Sequence, residues 1–268
     1  MRKRFFIVLF ALFLLLNPHC FAEAQALRDK DLSCLQKLIF QNECSGKISN
    51  LTVWGQGEEF PSFGIGHFIW YPKATQGPYK ESVTDLLTFM EESGIEIPGW
   101  IRPFRSTGAP WRSREEFIKD LGSERMRVLR GFLARTMRTQ TLFMEKRIRN
   151  LLPKMLDKTM LPLQSEIRRK YEILLETKYG KFAVIDYVNF KGEGLLESER
   201  YKGTGWGLLQ VLLEMKTPAD SEQALIEFVR AAEKVLKKRI DNSPRERNEM
   251  KWFVGWIKRV RGYLTSEC

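Results

Sequence analysis

Histidine is nearly absent, with two in 268 residues. His19 lies in an N-terminal stretch that reads as a removable targeting segment, which leaves His67 alone in the mature chain. A multi-histidine zinc site is therefore excluded, and a Ser-His-Asp or Cys-His nucleophile would have to be built on His67. Cysteine is scarce, at four residues. No CxxC pair occurs, so cysteine-based metal or redox chemistry is not expected. The reading predicts no metal and no cofactor. No apolar run reaches the roughly 20 residues of a spanning helix, and there is no internal repeat, low-complexity tract or linker. Acid–base chemistry falls to carboxylates, Tyr, Lys or Cys.

What is present begins with a targeting signal. Met1-Arg2-Lys3-Arg4 is a positive n-region, Phe5–Leu16 is an unbroken run of twelve apolar residues, and Asn17-Pro18 breaks it. Small residues at Ala22 and Ala24 fit a signal peptide over 1–22, with cleavage after 22 or 24. The expected location is outside the cytoplasm, periplasmic or secreted, with no integral span after cleavage. Removing Arg2, Lys3 and Arg4 takes the formal net charge from +11 to +8. A hydrophobic fraction of 43% and seven Trp exclude general disorder. Cys34, Cys44 and Cys268 survive, an odd number that allows at most one internal bridge. On one continuous helix Cys34 and Cys44 stand about 15 Å apart, beyond the ~7 Å limit for bonding.

The mature chain reads as α+β, mostly α, with a small N-terminal β-sheet lobe on one helical body spanning 23–268. Leu32, Leu35, Leu38 and Ile39 recur at helical spacing within Leu27–Glu43, and Ser45-Gly46 stops that helix. Residues 46–72 interleave glycines with Val53, Trp54, Phe60, Phe63, Phe68, Ile69 and Trp70, which predicts a hairpin or three-stranded sheet. Helices are expected over 81–93, 113–136, 138–157, 161–177, 181–190, 205–215, 221–241 and 247–264. Trp54, Trp70, Tyr71 and Trp206 are candidate sugar platforms, whereas Trp252 and Trp256 read as core packing. Residues 121–154 hold nine Lys/Arg against Glu124 and Glu145. Such a strip can attract an anionic polymer, but no nucleic-acid motif accompanies it, and no nucleic-acid partner is expected.

The chemistry concentrates in Phe40-Gln41-Asn42-Glu43, the glycine-rich sheet, and Pro61-Ser62-Phe63-Gly64-Ile65-Gly66-His67. A carboxylate ending an apolar helix feels the negative end of the helix dipole and apolar neighbours, and both raise its pKa. Glu58 and Glu59 lie within the sheet and offer a second carboxylate, and two carboxylates across a cleft are the minimal kit for glycosidic hydrolysis. This order resembles the phage-type lysozymes of the lysozyme-like superfamily. The resemblance implies Glu43 as general acid, Ser62 in the place of a water-positioning Thr, and Gly64, Gly66 and His67 lining the sheet. The family's hairpin Asp falls on Gln56, so Glu58 or Glu59 would have to substitute, or the acid works alone. Residues 182–194 resemble the family's later helix, with Asn189 near its Gly-x-Gly end. Gly205-Trp206-Gly207-Leu208-Leu209-Gln210-Val211 resembles a lytic-transglycosylase motif, which implies contacts from Gln210 and makes Glu193 an alternative acid. The expected activity is an exported glycosidase or lytic transglycosylase cleaving peptidoglycan strands. The alternative is a non-catalytic envelope protein that binds wall polymer through the cleft or the basic helical face.

Overall fold

The computed structural model describes residues 18–268, with side chains described from Arg28 onward. The apolar stretch Phe5–Leu16 and the signal reading that rests on it lie outside the described residues.

Helix α1 (Pro18–Cys44) carries Leu32, Leu35 and Ile39 into the core. It stops where the sequence predicts. Ser45 and Gly46 both take positive φ, 52° and 66°, and the Gly46 N–H closes back on the Phe40 carbonyl at 3.2 Å. That closure, from residue 46 back to residue 40, uses the left-handed residues at the helix end, and it leaves Glu43 on the last turn. Because α1 is continuous from Cys34 to Cys44, those two cysteines do not pair. Cys34 bonds Cys268, across a sequence separation of 234, and Cys44 is a buried free thiol.

The β lobe follows as β1 (Thr52–Val53), β2 (Ser62–Phe63) and β3 (Phe68–Ile69), antiparallel in that order. Thr52 faces Phe63 across one ladder, and Ser62 faces Ile69 across the other. The rest is helical: α2 (Val83–Glu92), α3 (Arg114–Asp120), α4 (Glu124–Arg135), α5 (Met137–Arg149), α6 (Leu151–Asp157), α7 (Leu161–Leu175) and α8 (Lys178–Lys191). A two-stranded hairpin, β4 (Arg200–Tyr201) with β5 (Thr204–Gly205), precedes α9 (Leu208–Glu214), α10 (Ser221–Asn242) and α11 (Met250–Arg261). The chain is therefore mostly α with a small β lobe. Among the described residues no helix is long and apolar enough to cross a membrane.

The structure departs from the sequence expectation at three places. The helix expected over 113–136 is two, because the Ser123 hydroxyl accepts the Met126 N–H and starts α4 afresh. The helix expected over 138–157 breaks at Asn150, and Pro153, which has no N–H to give, sits in the first turn of α6. The β4–β5 hairpin is new, turning on Lys202 and Gly203 with φ of 50° and 78°. Two residues at positive φ suit the right-handed twist of a tight hairpin.

One contiguous core runs from Leu35 to Tyr263. Helix α1 lies against α5 and α8, and α10 lies against α8, α9 and α11. The disulfide, the packing of α8 against residues 262–265 and the Arg259–Glu43 hydrogen bond thus bring the end of the chain onto α1.

Candidate functional site

The last turn of α1, the loop after β2, the middle of α8 and the end of α11 converge on one cluster. Asp186 of α8 is buried and accepts four hydrogen bonds. They come from Arg259 Nε at 2.8 Å and Nη2 at 2.7 Å, the Tyr263 hydroxyl at 2.6 Å and Asn42 Nδ2 at 3.0 Å. The same Nη2 of Arg259 also donates to Glu43 Oε1. On the other side, Glu43 Oε2 lies 3.4 Å from His67 Nδ1. Phe190 packs under the Arg259 guanidinium at 4.5 Å.

One guanidinium therefore serves two carboxylates, and Asp186 takes the larger share of its donors. The Glu43 side chain is only 9% exposed. Burial raises its pKa to about 7; Asp186 adds to the rise, and Arg259 offsets it only in part. His67 goes the other way, lowered by burial although the Asn50 carbonyl and Glu58 favour its charged form. The Glu43–His67 pair is thus inverted from its ordinary order. At pH 7 about half of Glu43 carries its proton, beside an imidazole biased to its neutral form, and the protonated fraction is the state a general acid requires.

His67 stands at φ 44°, in the left-handed region that few residues other than Gly adopt but that His, like Asn and Asp, enters more readily than most. Its loop is held from behind. Buried Gln140 of α5 accepts the Ile65 N–H at 2.8 Å and donates to the Leu133 carbonyl at 2.7 Å. A Cβ on Gly64 would meet Gln140 Oε1 at 2.3 Å, and one on Gly66 would meet Phe68 and Met144. These glycines are there for the close approach of α5 to the loop. Cys44 Sγ lies 3.8 Å from His67 Nε2 and 3.8 Å from the Gly64 carbonyl, and burial pushes its thiol up to about 12.

The remaining expected residues separate. Ser62 is buried in β2. Glu58 and Glu59 are exposed in the β1–β2 turn, where Glu58 Oε2 accepts the Gly55 N–H at 3.0 Å. Of the two, Glu58 favours the charged form of His67, while Glu59 bears on Tyr71. Glu193 is elsewhere. It pairs with Arg147 at 2.9 Å and lines a surface groove of about 310 Å³ with Lys80, Lys146 and Lys154. Asn189 Nδ2 points to Met144 Sδ at 3.6 Å. Gln210 is a loop clamp: it accepts the Gly207 N–H at 3.0 Å and donates to the Gly194 carbonyl at 3.1 Å.

One expectation is overturned. Trp54, Trp70, Tyr71 and Trp206 are buried core residues, while Trp252, read as core, is 49% exposed. In the basic stretch 121–154, Arg138, Lys146 and Arg149 stay more than half exposed and line a surface groove, while several of its basic residues are engaged. Arg130 ties α4 to the lobe through Thr52 Oγ1 at 2.8 Å and the Leu121 carbonyl at 2.9 Å. Arg125 pairs with Asp120, Arg127 with Glu124, Arg138 with Asp29 and Arg147 with Glu193. Arg259 and Tyr263 were not singled out by the sequence reading, since nothing local marks one arginine among 44 basic residues. Comparison with family models, characterised proteins and solved structures gives no match for this chain.

Proposed function

We propose that this protein is an exported, cell-wall-active glycosidase in which Glu43 protonates the oxygen of the bond that breaks. The observation that carries the reading is the Glu43 carboxyl, buried at the end of α1 against the sheet and raised to about 7. Such a group is about half protonated at pH 7, and the protonated form can deliver its proton to a leaving oxygen. Asp186 is occupied by four donors and serves to hold Arg259. Of the two carboxylates in the β1–β2 turn, Glu58 is the better candidate for a second one, because its charge bears on His67. The resemblance of Glu43 and Ser62–His67 to the phage-type lysozymes points the same way, and the Cys34–Cys268 bond suits an oxidising compartment.

The test is release of soluble fragments from purified sacculi by the mature protein, beside Glu43→Gln. Wild type is expected to solubilise wall, and the variant to lose at least about 100-fold, the usual worth of a general acid. Equal release by both would overturn the assignment. Analysis of the released muropeptides for reducing or anhydro ends then separates hydrolysis from intramolecular transfer.

A further inference from the structure

Helix α11 presents a stripe at spacings i, i+4, i+7 and, just past its end, i+11: Trp252, Trp256, Arg259 and Tyr263. Residues so spaced share one face. The inner end of the stripe is the Glu43–Asp186 cluster, through Arg259 and Tyr263. The outer end is Trp252, the one indole of seven in the exposed class. Its ring and that of Trp256 lie near parallel, 25° apart with centroids 6.4 Å apart. Phe190 continues the row, 6.3 Å from Trp256, and then meets the Arg259 guanidinium. A row of aromatic rings therefore leads from the surface to the carboxyl.

The charges of α11 itself are of one sign, with Lys251, Lys258, Arg259 and Arg261 and no acidic residue. Lys251 Nζ stands 4.4 Å from the Trp252 ring centre, and Lys191 Nζ stands 3.2 Å from that of Trp256. The carboxylates that meet the helix are engaged: Glu43 and Asp186 by Arg259, Glu233 by Arg261, and Glu249 by the Arg239 guanidinium and the Tyr201 hydroxyl.

We infer that Trp252 and Trp256 form a binding platform for a carboxylate-bearing glycan strand, with the strand running along α11 toward Glu43. The C–H face of a pyranose ring is apolar and stacks on an indole, while ring hydroxyls and amides stay in water. An exposed aromatic patch rimmed by polar groups marks such a ligand surface, and exposed Lys251 and Lys258 complement carboxylates on the strand. A bilayer fits less well. Val254 is the most outward apolar residue of α11 at 79% exposure, but exposed Lys251, Gly255 and Lys258 surround it. The indoles lie on the stripe that leads to Glu43, not on that outward face. The inference rests on the proposed function for the direction of the strand, while binding itself does not require catalysis.

The experiment uses the Glu43→Gln protein, so that nothing is cleaved, and measures pelleting with purified sacculi and the quenching of tryptophan fluorescence by chitohexaose. Trp252→Ala is the main variant, since a half-exposed ring with no hydrogen bond can be removed without unfolding the chain. Affinity for sacculi is expected to fall about 10-fold, to be restored by Trp252→Tyr, and to weaken with salt. Unchanged affinity in Trp252→Ala would overturn the platform. So would equal, Trp252-dependent pelleting with vesicles of anionic phospholipid, which would make the patch a membrane surface. The two readings fail separately. Trp252-dependent binding without wall cleavage by wild type leaves the platform standing and removes the glycosidase. Glu43-dependent cleavage with binding and KM unmoved in Trp252→Ala does the reverse.

Discussion

Glu43 is defined by burial, which one shared guanidinium offsets only in part. A single guanidinium faces two carboxylates, and the one with more donors, Asp186, is the better neutralised. Glu43 is left to keep a proton. As a general acid it works only while protonated, so wall-cleaving activity should fall as pH rises through about 7. Asp186→Asn removes the neighbouring negative charge that raises Glu43 and leaves Arg259 with one carboxylate. The alkaline limb should then move to lower pH. A carboxyl NMR titration of Glu43 checks the same shift without needing activity, and a limb that stays put or moves up refutes the account. Lys191 carries a second prediction. Burial, with Arg239 and Arg259 nearby, lowers its amine to about 6, against an ordinary value of 10.5. The folded state must shed a proton that the unfolded chain keeps, so the penalty is full below about 6 and gone above about 10.5. Lys191→Met should therefore raise stability at pH 7 by at least ~1 kcal/mol, or about 2–4 °C in Tm. The gain should shrink steadily as melting is repeated toward pH 10. Among these residues Glu43 and His67 were legible in the sequence, because each sits in a short motif beside its own helix end or turn. Arg259 was not, standing 216 positions from Glu43 on another helix. Nor could i,i+4 spacing tell a buried Trp252 from an exposed one, since the two faces of a helix share that period.

At the scale of elements, hydrophobic periodicity placed the helices, and the alternation of glycine with β-formers placed the lobe. It could not place the break between α3 and α4, which one hydroxyl at Ser123 decides, nor the β4–β5 hairpin, whose strands are two residues each. The glycines of Ser62–His67 were read for chemistry. The structure gives them a packing role, with α5 pressed against the loop and Gln140 filling its backbone needs. That has a consequence for His67. Gln140→Leu keeps the volume but leaves the Ile65 N–H buried without an acceptor, a loss of about 1–3 kcal/mol. The loop should loosen as it loses that anchor, so amide exchange at 64–67 should quicken more than in α10, far from the lobe. The Glu43 titration should broaden as His67 is released. Uniform acceleration across the chain would instead mean that Gln140 contributes only to global stability.

Across the whole molecule, the site is assembled from the two ends of the sequence, and the covalent tie between them is Cys34–Cys268. Cys34 lies on α1 nine residues before Glu43, and Cys268 lies nine residues after Arg259. The bond thus closes a loop of most of the chain around the Arg259–Glu43 contact. A closed loop of this length restricts the unfolded chain, and its opening should cost about 2–5 kcal/mol. The effect on the site should be more specific than that. The segment beyond α11 holds Tyr263 on Asp186 and, through it, Arg259 on both carboxylates. Reduction, or Cys268→Ser, should let this segment fray, and with less of Arg259 nearby the Glu43 carboxyl loses the one group that lowers its pKa. The alkaline limb of activity should then shift upward, opposite in sign to Asp186→Asn, while total activity falls as the positioned fraction falls. Melting and pH–rate profiles of the wild type with and without reductant measure both effects. A loss of Tm with an unmoved limb would place the disulfide in stability alone. An upward-shifted limb would show that the bond sets the charge state of the acid from the far end of the chain.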